Sequence, residues 1–460
     1  MTKGIIVAGL SGGSGKSVVA VGLVAAFARQ GRKVVPFKKG PDYIDAGWMQ
    51  LAAGQPCYNL DPYLMDPDII KRSFTLHSDN ADMAIIEGNR GLFDGVNVEG
   101  GYSTAELAVQ LDMPVLLVVD CTKTTRTVAA LVLGCQKLDP RITISGVVLN
   151  RLGTKRHESI VRQSVEHYTG IPVVGAVRRS KTDFFPQRHL GVTPFQEHEG
   201  ADQVTGQLAD MAEEYLDLPA INNLMADISG PGTGKTETSS ESRAKVRIGV
   251  LKDAAFQFYY PENLEALITE GADLVEINAM TAEKLPELDG LYIGGGFPET
   301  SARRLAENCS FRQSVKLAAE SGLPIYAECG GLIYLGESIE LDGKEYPLAG
   351  VFPIRFGLHR KPQAHGYTKL AVSGKNPFYE VGEKIKGHEF RYSEILSWQG
   401  TKADLALEMQ RGVGFMDNRD GLVYKNVLAL YTHIHSLSTP QWSGNLVARA
   451  LEFKARREMA

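Results

Sequence analysis

The sequence predicts an α/β protein built from two parallel-sheet domains, and three observations carry that expectation. Short β-branched runs alternate with longer helical patterns through the first 200 residues. A glycine-rich loop joins the first run to the first helix. A second alternating series begins after a polar stretch rich in Gly, Ser and Thr at 226–245. The 460 residues suit two or three domains at about 150 residues each. We therefore expect a first domain over 1–225, a linker over 226–245 and a second domain over 246–460.

Taken in order, GIIVAG (4–9), KVVPFK (33–38), MAIIEG (83–88), VLLVVD (115–120), ISGVVLN (144–150) and IPVVGAV (171–177) read as strands. Uninterrupted apolar runs of this length suit strands buried on both faces of a parallel sheet. Helical patterns lie between them, among them Lys16 to Gln30 and Thr127 to Lys137. The second series holds RIGVLKD, LVEINA, GLYIGGG, LPIYAEC and, near the end, VLALYTHIH.

Composition narrows the class. A hydrophobic content of 43% is enough to build full cores and excludes a disordered chain. The net charge of −5 gives no reason to expect nucleic acid. No stretch reaches the roughly 18 apolar residues of a spanning helix. The start, MTKGIIVAGLSGG, is too glycine-rich for a secretory signal. Five scattered cysteines without a C-x-x-C pair exclude a zinc ribbon and point away from a disulfide framework. The expectation is a cytoplasmic protein with reduced thiols and no membrane contact.

In IIVAGLSGGSGKSVVAVGLVAAF a strand, a glycine-rich loop and an apolar helix follow one another. Gly12, Gly13 and Gly15 let backbone N–H groups approach phosphate oxygens. Lys16 can reach the β- and γ-phosphates, and Ser17 stands where a Mg²⁺ ligand is needed. The strict phosphate-loop pattern has glycine where Leu10 stands, with Gly9 one residue early; the strand–helix context outweighs the slip. A similar string, GPGTGKT at 230–236, has no strand before it and reads as a decoy in flexible coil.

Two acidic strings follow strands. KKGPDYIDAGW carries Asp42 and Asp45, able to hold Mg²⁺ or position a substrate, with Lys38 and Lys39 able to meet an anion. In IIEGNRGLFDG, Glu87 ends an apolar strand, and Arg90 and Asp94 sit among glycines. A charge at a buried strand end is costly unless something uses it.

The second domain carries a nucleophile pattern. LPIYAECGGLIYL runs from an apolar strand into Cys329, followed by Gly330 and Gly331, a tight turn that exposes a thiol above the sheet. Gly294, Gly295 and Gly296 offer N–H groups for an oxyanion hole. Either His433 or His435 in YTHIH can serve as the base. Cys57, Cys121, Cys135 and Cys309 lie in ordinary contexts and read as structural.

In this order, SGGSGKS, FKKGPDYID, the E-G-x-x-G-L-F-D-G string, GGGFPE, AECGGLIYL, GHEFRYS and YTHIH resemble the cobyrinate a,c-diamide synthase family over nearly the whole chain. These enzymes are glutamine-dependent amidases of tetrapyrrole carboxylates. The resemblance implies an N-terminal dethiobiotin-synthetase-like P-loop domain and a C-terminal class I glutamine amidotransferase-like domain. It places ATP phosphates on Gly12, Gly13, Gly15, Lys16 and Ser17. It associates Asp42, Asp45, Glu87 and Asp94 with Mg²⁺ and the tetrapyrrole carboxylate, with Ser17, Asp45 and Glu87 as the metal ligands. Cys329 matches the nucleophile and His433 the base; the acid usually found two residues later is replaced by His435, which leaves open what orients His433.

The implied reaction is ATP-dependent activation of the a- and c-acetates as acyl phosphates, captured by ammonia from glutamine. Cobyrinate is the first substrate expected. Asn89, Arg90 and the string CTKTTRT depart from the family's usual residues and keep siroheme and nickel-sirohydrochlorin open as alternatives. Arg391 stands where histidine is commoner. The expected partners are small molecules alone, and a homodimer is compatible. From another class, a P-loop regulatory ATPase with a non-catalytic amidotransferase-like domain competes, and glutamine turnover separates the two.

Overall fold

The computed structural model describes residues 1–179, 185, 187–188, 191–228 and 245–459. The decoy string at 230–236 and most of the expected linker lie outside those residues. The chain divides into two compact units, Met1–Lys235 and Thr236–Ala460.

In the first unit the six expected strands form as β1 (Lys3–Gly9), β2 (Val34–Lys39), β4 (Met83–Gly91), β5 (Val115–Asp120), β6 (Ile144–Leu152) and β7 (Val173–Arg178), and a short edge strand that was not expected, β3 (Tyr58–Leu60), joins them. They pair in parallel in the order β3-β2-β4-β1-β5-β6-β7. Ile5, Val7, Ile85, Leu116, Val118 and Val148 are buried together, which is why these segments read as continuous apolar runs. The helix α1 (Lys16–Arg29) buries nearly every residue from Val19 to Phe27. A two-residue strand, Ala226–Asp227, pairs antiparallel with Lys3 and Gly4. The first residues of the expected linker are therefore sheet. Two residues are too few to register as a hydrophobic period.

The order places β1 between β4 and β5, so the loops after β1, β2 and β4 open at the same carboxyl edge. Ligands of doubly wound sheets bind there.

The second unit holds a ten-stranded mixed sheet. Its parallel half runs Ala272–Ile277, Val246–Leu251, Gly290–Ile293, Ile325–Glu328 and Val427–Leu430. An antiparallel half continues through Arg419–Tyr424, Leu405–Arg411, Ala364–Val372 and Lys384–Arg391 to the short strand His433–Ile434. The stretch VLALYTHIH holds two strands, the apolar run and a short one in the histidine string that follows it. Only Tyr431 and Thr432 separate its parts, yet they lie at different places in the sheet because the antiparallel half curls back. No described helix is long and apolar enough to cross a membrane.

Candidate functional site

The loop from Leu10 to Gly15 ends β1 and opens α1. Gly13 and Gly15 take φ of 77° and 91°, a left-handed backbone that side chains disfavour. A Cβ on Gly15 would lie 2.1 Å from Asn150 Nδ2. That amide donates instead to Ser14 O at 2.9 Å, bracing the loop from the end of β6. Ser14 Oγ donates to Ser11 O at 2.8 Å and accepts the Ser11 N–H at 3.0 Å. Gly12 has open space around it. Lys16 is 9% exposed and makes no hydrogen bond or ion pair among the described residues. A braced loop whose lysine is free of a direct ion pair among the described residues is a fit for phosphate.

Directly after it, Ser17 Oγ donates to Glu87 Oε1 at 2.6 Å and stands 3.5 Å from Asp45 Oδ2. Lys38 Nζ lies 2.8 Å from Asp45 Oδ2 and 3.1 Å from Glu87 Oε2. Lys38 is fully buried, so the expectation that it meets an incoming anion is corrected: its charge is spent on these two carboxylates. Lys38 in contact and Lys16 at longer range settle the two acids unequally. Burial, with repulsion from Asp45, pushes Glu87 up to about 7. Burial also works on Asp45, yet Lys38 holds it below the usual carboxylate range.

The other two acids do local work. Asp42 Oδ1 accepts the Ile44 N–H at 2.8 Å at the start of the helix Ile44–Ala53; burial and Asp45 raise it. Asp94 Oδ2 accepts the Gly91 N–H at 2.8 Å, and the neighbouring Leu92 N–H bonds Gly9 O at 2.8 Å, docking this turn on the phosphate loop. Ser17, Asp45 and Glu87 thus come together, with Asp42 in electrostatic reach; Asp94 is held in its own turn.

Among the described residues no group of three or more His, Cys, Asp or Glu side chains gathers as a metal centre. The Ser17–Asp45–Glu87 set is all oxygen with two carboxylates. That suits Mg²⁺, which takes one or two carboxylates and completes its shell with water and phosphate oxygens.

In the second unit, the strand Ile325–Glu328 runs into Cys329 at φ 46°, ψ −96°, a strained conformation for a residue with a Cβ. Glycines make the turn fit. A Cβ on Gly331 would sit 2.4 Å from Ile293 O, and one on Gly330 would sit 3.0 Å from Gly296 N. Cys329 is 6% exposed and opens on a small pocket lined by Phe258, Gly296, Ile333, Phe390 and Arg391. Arg391 spans Ser393 O (2.6 Å) and Gly414 O (2.8 Å) above the Tyr431 ring, which fixes the pocket wall.

The structure brings His433 to Cys329. Burial disfavours the charged imidazole, but hydrogen bonds with Cys329 and Glu328 outweigh it and push His433 up to about 10. His433 Nδ1 lies 3.3 Å from Glu328 Oε2. His435 faces elsewhere: its Nδ1 accepts the Leu437 N–H at 3.2 Å and its Nε2 lies 3.6 Å from Glu262 Oε2. The glycine run needs a correction. The Gly294 N–H is taken by Tyr259 Oη at 2.8 Å, because Tyr259 turns in from a neighbouring loop. Gly296 and Gly330 stay beside the thiol with N–H groups that bond nothing among the described residues.

Sequence reasoning missed Lys38 as an internal counter-ion, Asn150 as the loop brace and Glu328 as the partner of His433. Only Glu328 had a signal, an acid closing an apolar strand as Glu87 does.

Residues 5–192 match the model of the CobQ/CobB/MinD/ParA nucleotide binding domain, and residues 247–441 that of the CobB/CobQ-like glutamine amidotransferase domain. A protein of Magnetococcus marinus named cobyrinate a,c-diamide synthase is 43% identical over 436 residues, which cover 94% of this chain and 93% of that one. Proteins of the same name from Archaeoglobus fulgidus and Methanothermobacter thermautotrophicus are each 38% identical, over 98% of this chain and 98% and 100% of theirs.

Proposed function

This chain belongs to the cobyrinate a,c-diamide synthase family of glutamine-hydrolysing ligases, and we propose that it amidates the a- and c-acetates of cobyrinate in an ATP-driven reaction. The observation that carries the reading is Cys329, held at φ 46° on a tight turn before Gly330 and Gly331, with His433 in electrostatic reach of its thiol.

In the glutamine half-reaction the Cys329 thiolate attacks the side-chain carboxamide carbon. The Gly296 and Gly330 N–H groups receive the developing oxyanion. His433 gives its proton to the leaving nitrogen, so ammonia departs and a γ-glutamyl thioester remains. Water, deprotonated by His433, hydrolyses the thioester to glutamate and restores the thiol.

In the ligase half-reaction the phosphate loop holds ATP through backbone N–H groups of Gly12, Gly13 and Gly15, with Lys16 against the β- and γ-phosphates. An acetate oxygen of the substrate takes the γ-phosphoryl group, releasing ADP. Ammonia then attacks the acyl carbon and inorganic phosphate leaves, giving the amide. Ser17, Asp45 and Glu87 would hold Mg²⁺, which supplies neutralisation of phosphate charge. Lys38 keeps Asp45 ionised for that role. Asp42 and Asp94 shape the turns that face the substrate.

Cys329→Ala tests the assignment. Glutamine-driven turnover should fall to background while high ammonia still supports amidation at near the wild-type rate. Equal loss of both activities would count against it. Mass spectrometry of products from cobyrinate, nickel-sirohydrochlorin and siroheme in parallel identifies the substrate. Two OH-to-NH₂ exchanges on cobyrinate are expected, and exchange on another tetrapyrrole alone would transfer the same chemistry to that substrate.

A further inference from the structure

We propose that Glu328 is the positioning acid of the glutamine half-reaction, holding His433 by Nδ1 so that Nε2 serves Cys329. The inference rests on the reading of Cys329 and His433 as a glutaminase pair and names the group that orients the base.

The geometry comes from one strand end. Glu328 closes the strand Ile325–Glu328 and is fully buried. In a regular strand its side chain and that of Cys329 would point to opposite faces. The left-handed backbone at Cys329 breaks that alternation, and both groups reach the same imidazole. Glu328 Oε2 stands 3.3 Å from His433 Nδ1, and Oε1 accepts the Ile434 N–H at 3.3 Å, so the carboxylate grips the ring and its backbone together. Burial raises the Glu328 carboxyl, and its hydrogen bonds with His433 and the Ile434 N–H work against that rise.

His435, at the position where the acid is expected, is already paired with Glu262 and capped by the Leu437 N–H. A carboxylate buried beside an imidazole fixes its tautomer and stabilises the imidazolium that forms during proton transfer. The other titratable groups at this ring are few. His388 stacks on His433 with centroids 4.9 Å apart and is held well below its usual range by burial, hence neutral. Tyr260 reaches His388 at 3.4 Å, and burial raises Tyr292.

Glu328→Gln in the full chain tests the role. Glutaminase kcat should fall about 100-fold or more, with the KM for glutamine changed less than about threefold. Ammonia-supported amidation should stay within about twofold of wild type. The alkaline limb of the glutaminase pH profile should move to lower pH, because the imidazolium loses its anionic partner. Glu328→Asp keeps the charge and should hold the limb in place while recovering at least about tenfold over the Gln chain. A Gln chain with near-wild-type glutaminase and an unmoved limb would overturn the role, as would an Asp chain no better than Gln. Should the Gln chain not fold, Asp alone decides: lowered kcat with the limb in place supports the pairing, and a moved limb or an unchanged kcat sinks it. Wild-type protein without glutamine turnover would refute the underlying pair instead.

Discussion

Glu87 shows how a residue proposed to hold a ligand can weaken the protein that carries it. Its carboxyl is buried beside Asp45, with Lys38 in contact with both and Lys16 acting from farther off, and burial and Asp45 push it up to about 7 from 4.5. The folded chain therefore binds a proton that the unfolded chain releases between those values, so stability falls as pH rises from about 4.5 to about 7. Glu87→Gln should remove that cost. At pH 8.5 the Gln chain should exceed wild type by about 1–3 kcal/mol in urea unfolding, and at pH 5 the two should agree. The same change should cut ligase activity by at least about 10-fold. A Gln chain less stable than wild type at both pH values would contradict the assignment of the cost to Glu87. The sequence made Ser17, Asp45 and Glu87 legible because each stands at a strand end or helix start beside the phosphate loop. The pairings of Lys38 and Glu328 were not, since they join residues 7 and 49 positions apart, or 105 for Glu328 and His433; Glu328 showed only as an acid closing an apolar strand, and Lys38 only as a cation beside the loop.

At the scale of elements, what a sequence shows depends on how local the cause is. Six first-unit strands were legible to within three residues at their ends, because burial on both faces writes a continuous apolar run; the three-residue edge strand Tyr58–Leu60 was too short to show. In VLALYTHIH the apolar strand and the histidine string after it were legible; that His433 and Ile434 pair with His388 and Gly387 was not, being a long-range property. Cys329 was legible as an elbow from its two following glycines, and the structure gives the reason in close backbone approach. Gly331→Ala would drive a Cβ to 2.4 Å from Ile293 O, a backbone atom that cannot swing aside. We expect a loss of about 2–4 kcal/mol and collapse of glutaminase, measured by thermal unfolding and glutamate release. Ligase activity with added ammonia, assayed well below the new midpoint, should persist. An Ala chain with the wild-type melting temperature would show that the elbow tolerates a methyl group and that its packing is looser than these distances say.

For the whole molecule, the chain divides into Met1–Lys235 and Thr236–Ala460, so the proposed function gives each half-reaction its own core. Val19, Leu23, Ile85, Val118 and Val148 pack within the first unit, and Leu291, Ile293, Ile325, Leu332 and Tyr431 within the second. A ligand stabilises the unit whose folded form it binds, by about 2.7 kcal/mol at one hundred times its dissociation constant. Scanning calorimetry with Mg²⁺ and a non-hydrolysable ATP analogue should therefore raise the unfolding of the first unit. An electrophilic glutamine analogue that alkylates Cys329 should raise the second. Lys16→Ala should erase the first shift and leave the second, while Cys329→Ala should do the reverse. Separate responses follow if nucleotide and glutamine each act on the core that carries their residues. If either ligand alone raised both units by the same amount, in the parent chain and in both variants, the two half-reactions would share one folding unit and the assignment of a site to each core would fail.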